Sequence, residues 1–458
     1  MALLVAWLGL GLLFSLGAVG FLLAGLGLAV VVQLGRRRSL AELWTRDRAG
    51  IGRSRAGKAG VIGVLLLTPA YLVVHYLPTW VGNSWIALLA ALGLVVAYVA
   101  IRRLFVAVAV TAVLVAAAMW TQAPSLSTAT TGDAGLLAQL DRVQDKGMLT
   151  GYEDLSLATV DLDAAQPVRL AGFGADATRP MEIGSITKSL TGLVVADSVE
   201  RGELSLDARV ETYLPALHGS AAGTVTIREL VTHRSGYAEF GAATLRRAAW
   251  SAPTGRNWIT ADLDHLMREV RTGSLATRGT FAYSTLGAAT AGQAAAAAAG
   301  MSYPDLMRTR LFEPLGMTHS AIQVGHPLVG GGRTASGHRV QPWVFGAYAP
   351  GGAAVSTAAD LSRLATALLD GTAPGMNAMT PIAPTGQDNT RIGEFWHISR
   401  WPTGQTITWH NGQTAGYTAY LGLDRQHHRA VIVLSDVANA ATTELGTELL
   451  STPSSPTP

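Results

Sequence analysis

Residues 2–34 run for 33 positions without one Asp, Glu, Lys or Arg. A helix needs about 20 apolar residues to cross a bilayer, so this stretch spans one with length to spare. It has no basic leading segment and no small-residue cleavage pattern, and it exceeds the apolar core of a signal peptide. After Lys58 the next charged residue is Arg102. Pro78, Asn83 and Ser84 mark a turn inside that gap, which divides it into apolar runs at 59–77 and 85–101. A fourth run, 104–120, follows Arg102 and Arg103, whose long side chains can reach an interface. The expectation is a membrane domain over 1–120 made of four transmembrane helices.

The loops set its orientation. Segment 35–58 carries eight basic residues and the turn at Arg102 and Arg103 carries two, whereas 77–84 carries none. Basic loops stay on the cytoplasmic side, so the N-terminus and everything after Trp120 are expected outside a plasma membrane. A bias of 31 Arg to three Lys, with abundant Ala and Gly, suggests a GC-rich bacterial source.

Charge divides the chain in the same place. Residues 1–121 have a net charge of +8 and residues 122–458 a net of −5. A nucleic-acid surface needs clustered Lys and Arg on a folded face, so nucleic acid is excluded as a partner. The absence of cysteine excludes disulfides, thiol nucleophiles and Cys-ligated zinc. The Ser/Thr-rich stretch 121–133 reads as a linker, and 451–458 (STPSSPTP) as a disordered tail.

Residues 134–450 are long enough for one large domain with a substantial core. Segment 136–146 reads as an amphipathic helix, and 154–163 and 168–172 as strands. Helical and loop signals dominate from Ile183 to Ser302. Strand-like runs return at 393–400, 406–410, 418–424 and 429–435, and a helix over 438–450 closes the pattern. The fold class expected is α+β: an antiparallel sheet built from both ends of the domain, with a helical subdomain inserted between.

The sharpest local signal is Ile183-Gly184-Ser185-Ile186-Thr187-Lys188. Ser and Lys three residues apart on a helix share a face. At a helix N-terminus the free N–H groups favour developing negative charge on Ser185. A partly buried Lys188 with a lowered pKa can take the serine proton. The bland alternative is a serine that merely caps the helix.

Six segments in order then resemble the serine β-lactamase and penicillin-binding-protein superfamily, on its class C β-lactamase, esterase and D-peptidase side. They are IGSITKSLTGLVVADSVERGELSLDARVETYLP from Ile183, TIRELVTHRSGY from Thr226, FAYSTLG from Phe281, LFEPLGMTHS from Leu311, PGGAAVSTAADLSRL from Pro350 and WHNGQTAGY from Trp409. The resemblance covers about 135–450 and none of the membrane part. It implies a β-lactamase/transpeptidase-like domain with Ser185 as nucleophile and Lys188 as its proton partner. It implies Tyr283 as a general base and acid whose phenolate Lys188 stabilises, and His410, the head of the third motif, as a further catalytic residue. The oxyanion hole would use the backbone N–H groups of Ser185 and Gln413. Thr285, Asn411 and Gly412 would line the substrate site.

Two positions depart from the superfamily pattern. Tyr283-Ser284-Thr285 stands where Tyr-x-Asn is common, and Thr285 offers one short hydroxyl. His410-Asn411-Gly412 stands where β-lactamases carry Lys-Thr-Gly. Histidine is mostly neutral at pH 7, which weakens the attraction for a β-lactam carboxylate. The expected activity is therefore a membrane-anchored serine hydrolase acting through an acyl-enzyme, an esterase or D-amino-acid peptidase or carboxypeptidase. The alternatives are a β-lactamase or a non-hydrolytic penicillin-binding sensor or scaffold. Expected partners are a small ester, D-peptide or β-lactam and the lipid bilayer. Some β-lactam receptors join four spans to an outer penicillin-binding domain, but they carry HExxH between spans; segment 35–58 has no histidine. No cofactor and no metal are expected, because no ligand spacing occurs. His233, in Thr232-His233-Arg234-Ser235-Gly236, reads as structural, and the triple glycine at 330–332 as a flexible loop.

Overall fold

A computed structural model describes residues 124–451, apart from positions 403 and 439. The four apolar runs, with the orientation built on them, lie outside the described residues, as do 121–123 and 452–458. Among the described residues no helix is long and apolar enough to cross a membrane.

The expected linker ends in structure. Thr130–Gly132 is a strand, β1, paired with a later one. Asp133 then caps helix α1 (Ala134–Gln144), its carboxylate accepting the Leu136 N–H at 2.7 Å. Strands β2 (Leu155–Asp161) and β3 (Val168–Phe173) form an antiparallel pair. The short β4 (Met181–Glu182) leads into helix α2 (Ile186–Glu200). A helical region follows: α3 (Ile227–Val231), α4 (Ala242–Ser251), α5 (Leu263–Thr272), α6 (Thr285–Ala298) and α7 (Tyr303–Met307). Strands β5 (Ala321–Ile322) and β6 (Ala354–Ser356) complete a three-stranded sheet with β4 in the order β4-β6-β5. Helix α8 (Ala358–Asp370) precedes six strands: β7 (Ala383–Pro384), β8 (Thr390–Ile392), β9 (His397–Arg400), β10 (Thr406–Gln413), β11 (Thr418–Asp424) and β12 (Arg429–Ser435). Helix α9 (Thr442–Ser451) closes the chain described, so Ser451 belongs to a helix and not to the tail.

The large sheet has nine strands in the order β1-β3-β2-β12-β11-β10-β9-β8-β7. Its first and last segments meet where β2 pairs with β12, Leu157 opposite Val433. Alternation builds two cores from one sheet. Leu155, Leu157, Val431, Val433 and Tyr420 face α1 and α9, against Leu136, Leu140, Leu445 and Leu449. Ala158, Val160, Ile432, Leu434, Leu421 and Leu423 face the other way, into the core shared with α2 and α8.

Helix α2 is buried from Ile186 through Ser198, which is why its sequence is apolar on every side. Its backbone is crossed closely: a Cβ on Gly192 would collide with the Glu394 carbonyl oxygen. The glycines at 330–332 are packed too. Side chains at Gly331 and Gly332 would strike the carbonyl oxygens of Val340 and Gly416, and Arg333 N–H donates to the Asp436 and Gly416 carbonyls. The expected flexible loop is a close backbone crossing.

Candidate active site

Gly184 turns the chain with φ +49°, a conformation that favours glycine. A Cβ there would lie 2.5 Å from the Gln413 backbone nitrogen. On the facing strand, a Cβ on Gly412 would collide with the Ile183 carbonyl oxygen and stand 3.1 Å from the Ser185 nitrogen. Two glycines thus let the end of β10 lie directly on the turn that carries Ser185. The backbone nitrogens of Ser185 and Gln413 come together as a result.

Ser185 occupies the N-cap position of α2, yet its side chain caps nothing. Its Oγ instead accepts a hydrogen bond from Lys188 Nζ at 2.9 Å. Lys188 is 0% exposed and also donates to the Gly351 carbonyl at 2.6 Å. Its ammonium lies 4.7 Å from the centroid of the Tyr283 ring. Burial pushes Lys188 down to about 7, with the Glu239 carboxylate opposing in part. Burial pushes the Tyr283 phenol up, an interaction with the Ser185 hydroxyl opposes this, and Glu239 adds to it. At neutral pH the pair is therefore a phenol beside a half-deprotonated amine. Both shifts favour the neutral forms, an amine on Lys188 and a phenol on Tyr283.

Behind Tyr283 sits His233, buried and in left-handed backbone with φ +56°. Its Nδ1 accepts the Ser284 N–H at 3.1 Å, and its ring centroid lies 4.6 Å from that of Tyr283 and 5.1 Å from Phe395. Burial holds it well below the ordinary imidazole range, assisted by Lys188, His397 and His410. Its ring packs against that of Tyr283.

On β10, side chains alternate across the sheet. His410 faces the site, its ring centroid 6.3 Å from Tyr283 and 5.3 Å from His397. Asn411 points the other way, where its Nδ2 donates to Thr443 Oγ1 at 3.2 Å on α9. The Asn411 side chain is therefore removed from the substrate face, and Gly412 contributes close approach only. Thr285 is buried at the first position of α6. A Cβ on Gly351 would lie 2.6 Å from its Cγ2, so the methyl packs there. The same Gly351 supplies the carbonyl that accepts from Lys188.

Sequence reasoning missed three contributors. Gly351 lay unremarked inside the PGG of the segment from Pro350. His397 stacks on Trp409 at 5.0 Å across the β9–β10 ladder, and burial depresses it to about 4; no local pattern marks it. Glu182 precedes the nucleophile turn and accepts from Gln323 Nε2 and the Trp343 N–H, both at 2.6 Å. Burial pushes it up to about 7. It ties the segment 323–343 to the strand beside Ser185. Among the described residues no three metal-ligating side chains come together.

Comparison with known proteins agrees with this geometry. The Beta-lactamase family profile matches residues 145–448. Penicillin-binding protein 4* of Bacillus subtilis is 24% identical over 292 residues, which is 56% of this chain and 60% of that relative's length. The beta-lactamase/D-alanine carboxypeptidase of Pseudomonas syringae superposes with a TM-score of 0.57 at 18% identity, over 70% of this chain and 99% of that one. The D-stereospecific amidohydrolase of a Streptomyces species gives a TM-score of 0.55 at 18% identity, over 66% of this chain and 94% of that one. The α+β domain expected from the sequence is the fold these two structures share.

Proposed function

The chain belongs to the Beta-lactamase family, and from that premise we propose that it is a serine hydrolase working through an acyl-enzyme on Ser185. The observation that carries the reading is the 2.9 Å contact between Ser185 Oγ and a buried Lys188. In this mechanism the neutral amine of Lys188 accepts the Ser185 proton as Oγ attacks the substrate carbonyl. The backbone N–H groups of Ser185 and Gln413 stabilise the oxyanion, a contribution worth about 10²–10³ in rate per donor. Tyr283, kept as a phenol, passes a proton to the leaving group and regains one through Lys188. Water then attacks the acyl carbon and Ser185 Oγ recovers its proton.

The substrate class supported is an ester or a D-amino-acid amide or peptide, because a histidine, His410, stands where a β-lactam carboxylate would need a cation. The relatives whose names include D-alanine carboxypeptidase and D-stereospecific amidohydrolase are consistent with that choice. The four uncharged runs before residue 121 support an anchor in a bacterial plasma membrane with the hydrolase outside. Turnover of an aryl ester, a D-alanyl-D-alanine peptide and a chromogenic cephalosporin by the detergent-solubilised full chain tests the reading. Ester or peptide hydrolysis that vanishes in Ser185→Ala is expected. Hydrolysis that persists in Ser185→Ala defeats the nucleophile assignment, and cephalosporin turnover faster than either defeats the substrate class.

A further inference from the structure

Gly184 and Gly412 let the end of β10 lie on the turn that carries Ser185, but steric contact only limits approach. Strand β4 belongs to the three-stranded sheet and β10 to the nine-stranded one, so no ladder of strand hydrogen bonds joins them. The oxyanion pair nevertheless takes one N–H from each side, Ser185 just after β4 and Gln413 at the end of β10. An attractive link has to hold the two donors in register.

Glu182, the last residue of β4, is placed to supply it. It is 2% exposed, and so is Thr414, the residue after Gln413. The Thr414 side chain hydrogen-bonds to the Glu182 carboxylate. Thr414 Oγ1 in turn accepts the Tyr417 N–H at 3.2 Å, and the Thr414 N–H donates to the Tyr417 carbonyl at 2.9 Å. Those bonds close the turn 414–417 directly behind Gln413. Glu182 Oε1 meanwhile accepts from Gln323 Nε2 and the Trp343 N–H. The chain between those two residues returns to the same turn, where the Tyr417 hydroxyl donates to the Gly330 carbonyl at 2.7 Å. Three stretches far apart in sequence thus close on one carboxylate, in an interior where hydrogen bonds reinforce one another.

Resting on the serine-hydrolase reading above, we propose that Glu182 is a positioning residue for the oxyanion hole. Through Thr414 it holds the Gln413 N–H beside the Ser185 N–H, and it touches neither substrate nor the reacting atoms. The role needs hydrogen bonds and not charge. A glutamine in its place keeps an oxygen for Gln323 and Trp343 and offers its amide N–H to Thr414 Oγ1, reversing that bond. A leucine supplies neither.

The test uses the full chain in detergent at pH 8, with an aryl ester and the thionoester that carries sulfur in place of its carbonyl oxygen. Sulfur accepts hydrogen bonds weakly, so the ratio of ester to thionoester turnover reads the oxyanion hole. Rates are expressed per fluorophosphonate-reactive site, which leaves misfolded chains out. Glu182→Leu is expected to lower kcat for the ester about 10²-fold, the scale of one oxyanion donor, with KM within about threefold and thionoester turnover reduced less than about fivefold. Thr414→Val is expected to move the ratio in the same direction, and the double variant to fall no further than the worse single one, because both cut one link. Glu182→Gln is expected to stay within about threefold of the unaltered chain. A ratio unchanged in folded Glu182→Leu and Thr414→Val overturns the proposal, as does a Glu182→Gln as slow as Glu182→Leu. Should Glu182→Leu not fold, the ratio in Thr414→Val decides alone. In each of these cases ester hydrolysis by the unaltered chain leaves the hydrolase reading intact; a folded chain that neither labels nor hydrolyses would instead overturn that reading and the proposal with it.

Discussion

Titrating the acylation step tests the proton chemistry of the site. Lys188 has two acceptors and an aromatic face as neighbours. Removing its charge from water lowers it from 10.5 to about 7. At about 1.4 kcal/mol per unit, the folded chain favours the neutral amine by roughly 5 kcal/mol relative to solvent. If the amine is the base, the second-order rate of fluorophosphonate labelling rises about tenfold per pH unit below 7 and levels off above it. About one Lys188 in ten is neutral at pH 6 and about one in a hundred at pH 5. Glu239 raises Lys188, so Glu239→Gln is expected to move the midpoint to lower pH. The assay is labelling rate from pH 5 to 9 by intact mass. A flat profile over that range, or a midpoint near the ordinary lysine value, would refute the reasoning. The same shift has a thermodynamic face. Between about 7 and 10.5 the unfolded chain binds the extra proton, so stability rises with pH through that window and the penalty is complete below 7. Lys188→Met removes that penalty and leaves the Gly351 carbonyl unpaired at a cost of about 1–3 kcal/mol. It is expected to be more stable than the unaltered chain at pH 6 by about 2–4 kcal/mol, a gain that fades towards pH 10 while labelling is lost.

Gly412→Ala drives a methyl into the Ile183 carbonyl and the Ser185 nitrogen; labelling is expected to fall at least about 10²-fold, the scale of one lost oxyanion donor, with a lowered melting temperature in the same preparation. Glu394 is buried and pushed up to about 8, so its stabilising protonated form is lost as pH rises from about 4.5 through 8. Glu394→Gln should therefore melt with the unaltered chain at pH 4 and above it at pH 9, and a constant difference across that range would contradict the assignment. His233→Asn tolerates the left-handed backbone but withdraws the ring from Tyr283; labelling is expected to slow about tenfold, and an unchanged rate in folded protein would remove its positioning role.

Much of the domain was legible because its strands alternate or run apolar between turn signals. Strands β11 and β12 coincide with the expected runs 418–424 and 429–435, and β2 and β3 fall within two residues of theirs. The short strands β1, β7 and β8 were not anticipated, because two or three residues carry no period and their pairing is set by the neighbouring strand. In the site, the Ser185–Lys188 spacing puts both groups on one turn of helix, so local geometry alone brings them together. The Asn411 side chain and the partner of Lys188 were not legible, for different reasons. Strand parity turns Asn411 to the far face, and the acceptor for Lys188 is a backbone carbonyl, Gly351, which side-chain motifs do not mark. His397 and Glu182 owe their places to cross-strand register and loop packing, which no local stretch of residues encodes.

The central claim is that Ser185 is the nucleophile, activated by Lys188. Its most direct measurement is intact mass and peptide mapping of the full chain after reaction with a fluorophosphonate. One adduct is expected on the peptide that contains Ser185, absent from Ser185→Ala and slowed by orders of magnitude in Lys188→Met. An adduct on any other peptide, or none in protein whose folding is verified, would contradict it.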